Sequence, residues 1–186
     1  MAVPEHPASV VAYIGLGSNL ANPRAQVRRA MDELAALPGC TLCLRSSLYA
    51  TPPLGPVAQP EFVNAVVSLA TTLTPLELLA ALQGLEREHG RVRDGTRWGP
   101  RTLDLDLLIF DELQLQLPGL IVPHPELAKR SFVLVPLAEI APVRLLIPGH
   151  GRLQDLLAAL PDRDAPRRLP ETAAAAAAVP GPQAPA

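Results

Sequence analysis

Residues 103–110 read LDLDLLIF, an apolar run broken only by Asp104 and Asp106. Eight residues of this kind predict a β-strand, and side chains two apart on a strand point to the same face. Two like charges on one face repel each other, and burying them unpaired is costly. A shared cation is the simplest relief. Carboxylate oxygens are hard ligands suited to Mg²⁺, and two such groups can clamp a pair of Mg²⁺ ions about 3.5–4 Å apart. The strand follows R-W-G-P-R-T (97–102), so Arg97 and Arg101 flank the carboxylates, and a polyphosphate would complete the coordination. An isolated D-x-D fits a water-facing edge strand equally well. The attached arginine-rich turn favours the site.

The chain has 186 residues, 48% of them hydrophobic and only 3% aromatic. That suffices for one domain with a core of Leu, Val, Ala and Ile. The net charge of −2 is not the footprint of a nonspecific nucleic-acid binder. Arginine dominates the basic residues, with Lys129 the single lysine, and a guanidinium offers forked donors to phosphate. Cys40 and Cys43 form a C-x-x-C, but no histidine pair has the spacing to complete a zinc site, and the pair leads into a strand rather than opening a helix. No secretory signal and no apolar stretch of about 18 residues is visible. The chain therefore reads as cytoplasmic, with reduced thiols and no membrane span.

Hydrophobic periodicity predicts a strand over 9–16, broken by Gly17-Ser18-Asn19, then a helix over 24–37 entered through Pro23. A second strand follows over 41–50, a proline-rich loop over 51–60 and a third strand over 62–71. Thr74, Pro75 and Glu77 form a capping signature for a helix reaching His89. A basic loop (91–102) precedes the aspartate strand, which is followed by a hairpin around Asp111-Glu112. Pro123-His124-Pro125 is a rigid turn, and 131–140 and 152–160 are candidate short helices. The order is that of an α+β, ferredoxin-like βαββαβ core, an antiparallel sheet with helices on one face, plus the short C-terminal helices. Residues 1–8 read as a leader, 9–160 as the domain and 161–186 as a Pro/Ala-rich flexible tail.

Five separated blocks then carry a resemblance: YIGLGSNL (13–20), SSLYATPPLGP (46–56), QPEFVNAVV (59–67), EREHGRVRDGTRWGPRTLDLDLLIF (86–110) and VPHPELAKRSFVLVPLAEIAP (122–142). Together they resemble the 6-hydroxymethyl-7,8-dihydropterin pyrophosphokinases of folate biosynthesis, over roughly residues 10–160. The resemblance implies transfer of the β,γ-pyrophosphoryl group of ATP to the pterin hydroxymethyl oxygen, with release of AMP. It implies that Asp104 and Asp106 hold two Mg²⁺ ions and that Arg91 and Arg101 contact the phosphates. On the ATP side it implies Gln83, Arg93, Trp98, Leu107, His124 and Arg130, with Glu86 shaping the site and with Arg93 and Trp98 on a loop that folds over the substrates. On the pterin side it implies stacking by Phe62 and Phe132, edge contacts from Asn64 and Thr51, and further contacts at Pro52 and Leu54. A monomer is implied as well. Phe62 stands where some relatives have tyrosine, and 113–121 matches the family poorly.

Other readings are weaker. Gly15-x-Gly17 lacks the third glycine of a dinucleotide fingerprint, and no P-loop is present. His89 and His150 read as surface or structural residues. An RNA-binding module of the same fold class would need a Lys/Arg-Gly-aromatic signature that this chain lacks. A catalytically dead binder is disfavoured by the intact Asp104, Asp106, Arg91 and Arg101.

Overall fold

The computed structural model describes residues 9–53, 58–91, 100–161 and 165–171. Residues 1–8 and 172–186 of the expected leader and tail lie outside them, as do Leu54, Arg93 and Trp98.

Strand β1 (Val10–Ser18) lies inside the sheet and runs through Gly17 rather than stopping before it. It pairs antiparallel with β4 (Phe62–Thr71) on one side and β5 (Asp104–Phe110) on the other. The expected second strand is split into β2 (Cys40–Arg45) and β3 (Tyr49–Thr51), both paired antiparallel with β4. The break falls at Ser46, whose amide donates to the Val66 carbonyl and whose hydroxyl accepts from the Val66 amide, both at 2.9 Å. A side chain has replaced the next rung of the ladder.

Two helices of the core cover one face of this sheet, and the C-terminal helices cover the other. Ala12, Ile14 and Leu16 of β1 pack with α1 (Pro23–Ala35) and α2 (Pro75–Glu88) through Val27, Met31, Leu34, Leu78 and Leu82. Tyr13, Val66, Leu108 and Ile109 pack on the opposite face with α3 (Ser131–Ile140) and α4 (Leu153–Ala158) through Val133, Leu134, Leu137 and Leu153. Strands apolar on both faces need two covers, and burying one such side chain contributes about 1.5–3 kcal/mol. Helix α2 starts as its sequence requires: the Thr74 amide donates to Glu77 Oε2 at 2.8 Å, and the Glu77 amide donates to Thr74 Oγ1.

Two further features depart from expectation. The hairpin after β5 does not turn at Asp111-Glu112. It consists of β6 (Leu115–Leu117) and β7 (Leu120–Val122), turning at Pro118-Gly119, where Gly119 takes φ 83°. After a short β8–β9 pair (Leu146–Ile147 with Gly151–Arg152), the chain does not leave the domain for good at Pro161. Arg167–Arg168 form β10, paired antiparallel with β3, and Leu169 is buried. The unpaired edge of β3 supplies the hydrogen bonds and the core supplies a place for Leu169, which outweighs the polar, Pro-rich composition. Among the described residues no helix is long and apolar enough to cross a membrane.

Candidate active site

The register of the sheet builds the site. Gly17 of β1 lies between Asn64 of β4 and Asp104 of β5, and Gly15 between Val66 and Asp106. All of these share the α3 face. The two glycines leave a floor without side chains between the carboxylates and Asn64. A Cβ at Gly17 would lie 3.2 Å from Asn64 Oδ1, and one at Gly15 would lie 3.3 Å from the Leu108 side chain. The Gly-x-Gly that reads as a failed dinucleotide motif is thus a clearance.

One cavity of about 200 Å³ opens on this floor, lined by Thr51, Pro52, Phe62, Asn64, Phe132 and Val133 among others. Asn64 Nδ2 donates to Thr51 Oγ1 at 2.7 Å, which fixes the amide inside the pocket. Phe62 comes from the start of β4 and Phe132 from the first turn of α3, so the two rings reach the cavity from different elements. The Arg130 guanidinium lies 5.7 Å from the Phe132 ring centre, within cation–π range.

A second, more polar cavity of about 460 Å³ is lined by Gln83, Glu86, Arg91, His124 and the hairpin residues Leu117, Gly119, Leu120 and Ile121. Leu107 also borders it, although it belongs to the core beneath α2. The hairpin falls in the stretch 113–121 that matches the family poorly, so sequence reading missed its place at this cavity.

Arg101, Asp104, Asp106 and Arg130 line both cavities. Asp104 is paired with Arg91 through Oδ1 at 2.5 Å and with Arg101 through Oδ2. Arg91 also pairs with the buried Glu86, whose Oε1 accepts from the Leu105 amide at 2.9 Å. This anchors the arginine to the strand it serves. Asp106 has looser company: Arg130 at 3.7 Å and His124 at 3.9 Å. Burial and the neighbouring Asp104 carboxylate push Asp106 up to about 6, against the pull of Arg130, Arg91 and Arg101. Burial and Arg130 push His124 down to about 4, so its ring is neutral at pH 7. Its Nδ1 accepts from the Glu126 amide at 3.1 Å, which leaves the proton on Nε2, the nitrogen nearest Asp106.

A bulge sets His124 there. Tyr13 opposes Ile109 and Ile14 opposes Leu107, so Leu108 has no partner in β1. Its carbonyl instead accepts from the His124 amide at 2.8 Å.

Asn19, in the YIGLGSNL block, has no role implied by the resemblance. It is 2% exposed. Its Oδ1 accepts from the Arg101 amide at 2.7 Å, its own amide donates to the Arg101 carbonyl, and its Nδ2 donates to Gln59 Oε1 and the Pro60 carbonyl. It ties the arginine to the segment entering Phe62. His89 is buried and structural: its ring bonds Gln26 at 2.7 Å and Glu33 at 2.5 Å, joining α2 to α1.

Among the described residues no three His, Cys, Asp or Glu side chains converge. Among those residues a divalent cation would find two carboxylates here, Asp104 and Asp106, and would need further ligands. That donor set suits Mg²⁺, which binds through one or two carboxylates plus substrate phosphates and water.

A family model described as 7,8-dihydro-6-hydroxymethylpterin-pyrophosphokinase (HPPK) matches residues 13–142. The chain is 55% identical over 149 residues to a 2-amino-4-hydroxy-6-hydroxymethyldihydropteridine pyrophosphokinase of Pseudomonas aeruginosa, covering 80% of this chain and 91% of that protein. It is 45% identical over 148 residues to the protein of the same name from Haemophilus influenzae, covering 80% and 91%. Its fold is similar to the crystal structure of Plasmodium falciparum HPPK-DHPS A437G with pteroate, with TM-score 0.64 and 14% identity. That match covers 83% of this chain but only 41% of the longer Plasmodium chain.

Proposed function

The chain belongs to the 7,8-dihydro-6-hydroxymethylpterin pyrophosphokinase family, and from that premise we propose that it transfers pyrophosphate from ATP to the hydroxymethyl group of 6-hydroxymethyl-7,8-dihydropterin in folate biosynthesis. The observation that carries this reading is the shared wall: Arg101, Asp104, Asp106 and Arg130 border both a Phe-lined pocket and a polar one. A flat heteroaromatic acceptor in the first and a nucleotide in the second would meet at the carboxylates. The pterin hydroxyl oxygen attacks the β-phosphorus and loses its proton to solvent, the bond from that phosphorus to the α,β-bridging oxygen breaks, and AMP leaves with that bond's electron pair.

Asp104 and Asp106 are the residues that would hold Mg²⁺, two ions in our reading. Bound there, the metal would neutralise the triphosphate and favour in-line displacement. Phosphate oxygens would draw Arg91 and Arg101 from Asp104, freeing that carboxylate for metal while the guanidinium groups meet the charge on the departing oxygen. Arg130 and the neutral His124 would border the polyphosphate, and Gln83 and the β6–β7 hairpin the nucleoside. Phe62 and Phe132 would stack on the pterin, with Asn64, Thr51, Pro52 and Leu54 at its edge. Arg93 and Trp98 would serve the ATP side. The pairing order β3–β4–β1–β5 with α1 and α2 on one face supports a ferredoxin-like core. We read the enzyme as a cytoplasmic monomer without nucleic-acid or membrane partners.

The test is to incubate protein with ATP, Mg²⁺ and 6-hydroxymethyl-7,8-dihydropterin and identify the nucleotide formed. Pterin-dependent AMP is expected. ADP, or no pterin dependence, would refute the assignment.

A further inference from the structure

The Phe-lined pocket has three walls from three elements: Thr51 at the end of β3, Phe62 at the start of β4 and Phe132 on α3. Strand β3 has only three residues, and its outer edge would be bare but for β10, where Arg167 opposes Ala50 and Arg168 opposes Tyr49. The Leu169 amide donates to the Leu48 carbonyl at 2.8 Å, and its side chain enters the core. The two arginine side chains then diverge. Arg168 donates from Nε to Ser47 Oγ at 2.9 Å and from Nη2 to Glu139 Oε1 at 3.2 Å. Arg167 reaches Glu61, the residue before Phe62, at 3.0 Å.

Glu139 is the hub of this arrangement. From α3 it accepts from the Ser47 amide at 2.7 Å, the Ser47 hydroxyl at 2.6 Å and the Tyr49 hydroxyl at 3.1 Å. The carboxylate thus locks α3 to the segment leading into Thr51, and Arg168 supplies its counter-charge. Four donors converging on one ionised acceptor make a stronger tie than isolated surface pairs. The pair of Arg167 with Glu61 is exposed on both sides and adds little by itself.

We infer that the C-terminal strand is a strap for the acceptor pocket, with Arg168 and Glu139 as positioning residues that hold the Thr51, Phe62 and Phe132 walls at stacking distance. This rests on assigning the Phe-lined pocket to the pterin. Neither residue lines that cavity, so both act through β3 and α3.

The experiment is steady-state kinetics on the full chain and on Arg168→Ala and Glu139→Gln, varying each substrate in turn. It is paired with direct titration of pterin fluorescence. Both variants are expected to raise the KM and Kd for pterin roughly tenfold, about 1.4 kcal/mol, with kcat and the KM for ATP within about twofold. Arg168→Lys, which keeps the charge but not the fork, is expected to fall between. Unchanged pterin KM in both variants, or kcat and both KM values moving together, would overturn the strap. If Arg168→Ala does not fold, Glu139→Gln and Arg168→Lys decide by the same criteria. A wild-type chain that neither binds nor consumes the pterin would overturn the assigned function and this inference with it. A working wild type with indifferent variants would overturn the inference alone.

Discussion

Asp104 and Asp106 point to the same face of β5 but meet different surroundings: Arg91 and Arg101 pair closely with Asp104, while Asp106 lies 3.7 Å from Arg130 and 3.9 Å from His124. The first carboxylate is neutralised by the protein. The second carries charge that burial and the Asp104 carboxylate disfavour, pushing it up to about 6. Asp104 is tied into the fold, and Asp106 is the carboxylate that a cation would relieve.

The asymmetry predicts opposite effects on stability. In metal-free buffer at pH 7, Asp104→Asn removes the partner of two arginines and is expected to lower Tm. Asp106→Asn removes a disfavoured charge and is expected to leave Tm unchanged or raise it. Both should lose turnover by about two orders of magnitude or more, the scale of losing one electrostatic contribution to a transition state. Thermal unfolding and a product assay on the two variants check this. A larger Tm loss in Asp106→Asn would contradict the charge argument, and near-normal turnover in either would remove the metal assignment.

The glycine floor gives a second prediction. Gly17→Ala places a methyl group 3.2 Å from Asn64 Oδ1, and the amide must give way. Asn64 is held by its bond to Thr51, so the shift disturbs the pocket edge. Pterin affinity is expected to fall roughly tenfold, about 1.4 kcal/mol, with ATP affinity unaltered. Calorimetric titration of each ligand checks it, and equal affinity for pterin would show that the clearance is not needed.

What could be read from the chain was what acts locally. The Thr74 and Glu77 cap lies within four residues, and the aspartate pair within three, so neither needs knowledge of distant partners. What could not be read was settled by partners far along the chain. Arg167–Arg168 look like tail residues until the free edge of β3 is known. The break at Ser46 needs Val66 as its partner, and the bulge at Leu108 becomes visible only when β1 and β5 are in register. Asn19 is an unremarkable loop residue until Arg101 and Pro60 arrive beside it. The aspartate pair was legible from its own strand, whereas the pocket walls depended on these long-range contacts.

Glu139 predicts a pH dependence. Burial pushes its carboxyl up, but hydrogen bonds from the Ser47 hydroxyl and amide and the Tyr49 hydroxyl, with the Arg168 charge, outweigh this and hold it below the usual glutamate range. A lowered folded-state value means stability that is present above the ordinary value of about 4.5 and lost as pH falls through the folded one. Wild type is therefore expected to exceed Glu139→Gln by about 2–4 °C in Tm at pH 7, the shift for about 1 kcal/mol in a domain of this size. The gap should close as pH drops below about 4.5. Melting curves from pH 7 to 3 test this, and a gap independent of pH would mean that packing, not ionisation, is what Glu139 supplies.

The boundary of the domain gives the last prediction. Sequence composition puts the end of the ordered chain near Pro161, whereas Leu169 is 7% exposed and part of the core. Leu169→Ala is expected to cost about 2–3 kcal/mol, the lower range for a buried leucine because this site is at the sheet's edge. A chain ending after Glu171 keeps β10 and Leu169 and is expected to match the full chain in Tm and turnover. A chain ending after Pro161 loses the cover of β3 and should lose stability by at least as much as Leu169→Ala. Urea denaturation of the three proteins orders them. If the chain ending after Pro161 is as stable as the one ending after Glu171, β10 contributes nothing to the fold and the boundary returns to where composition put it.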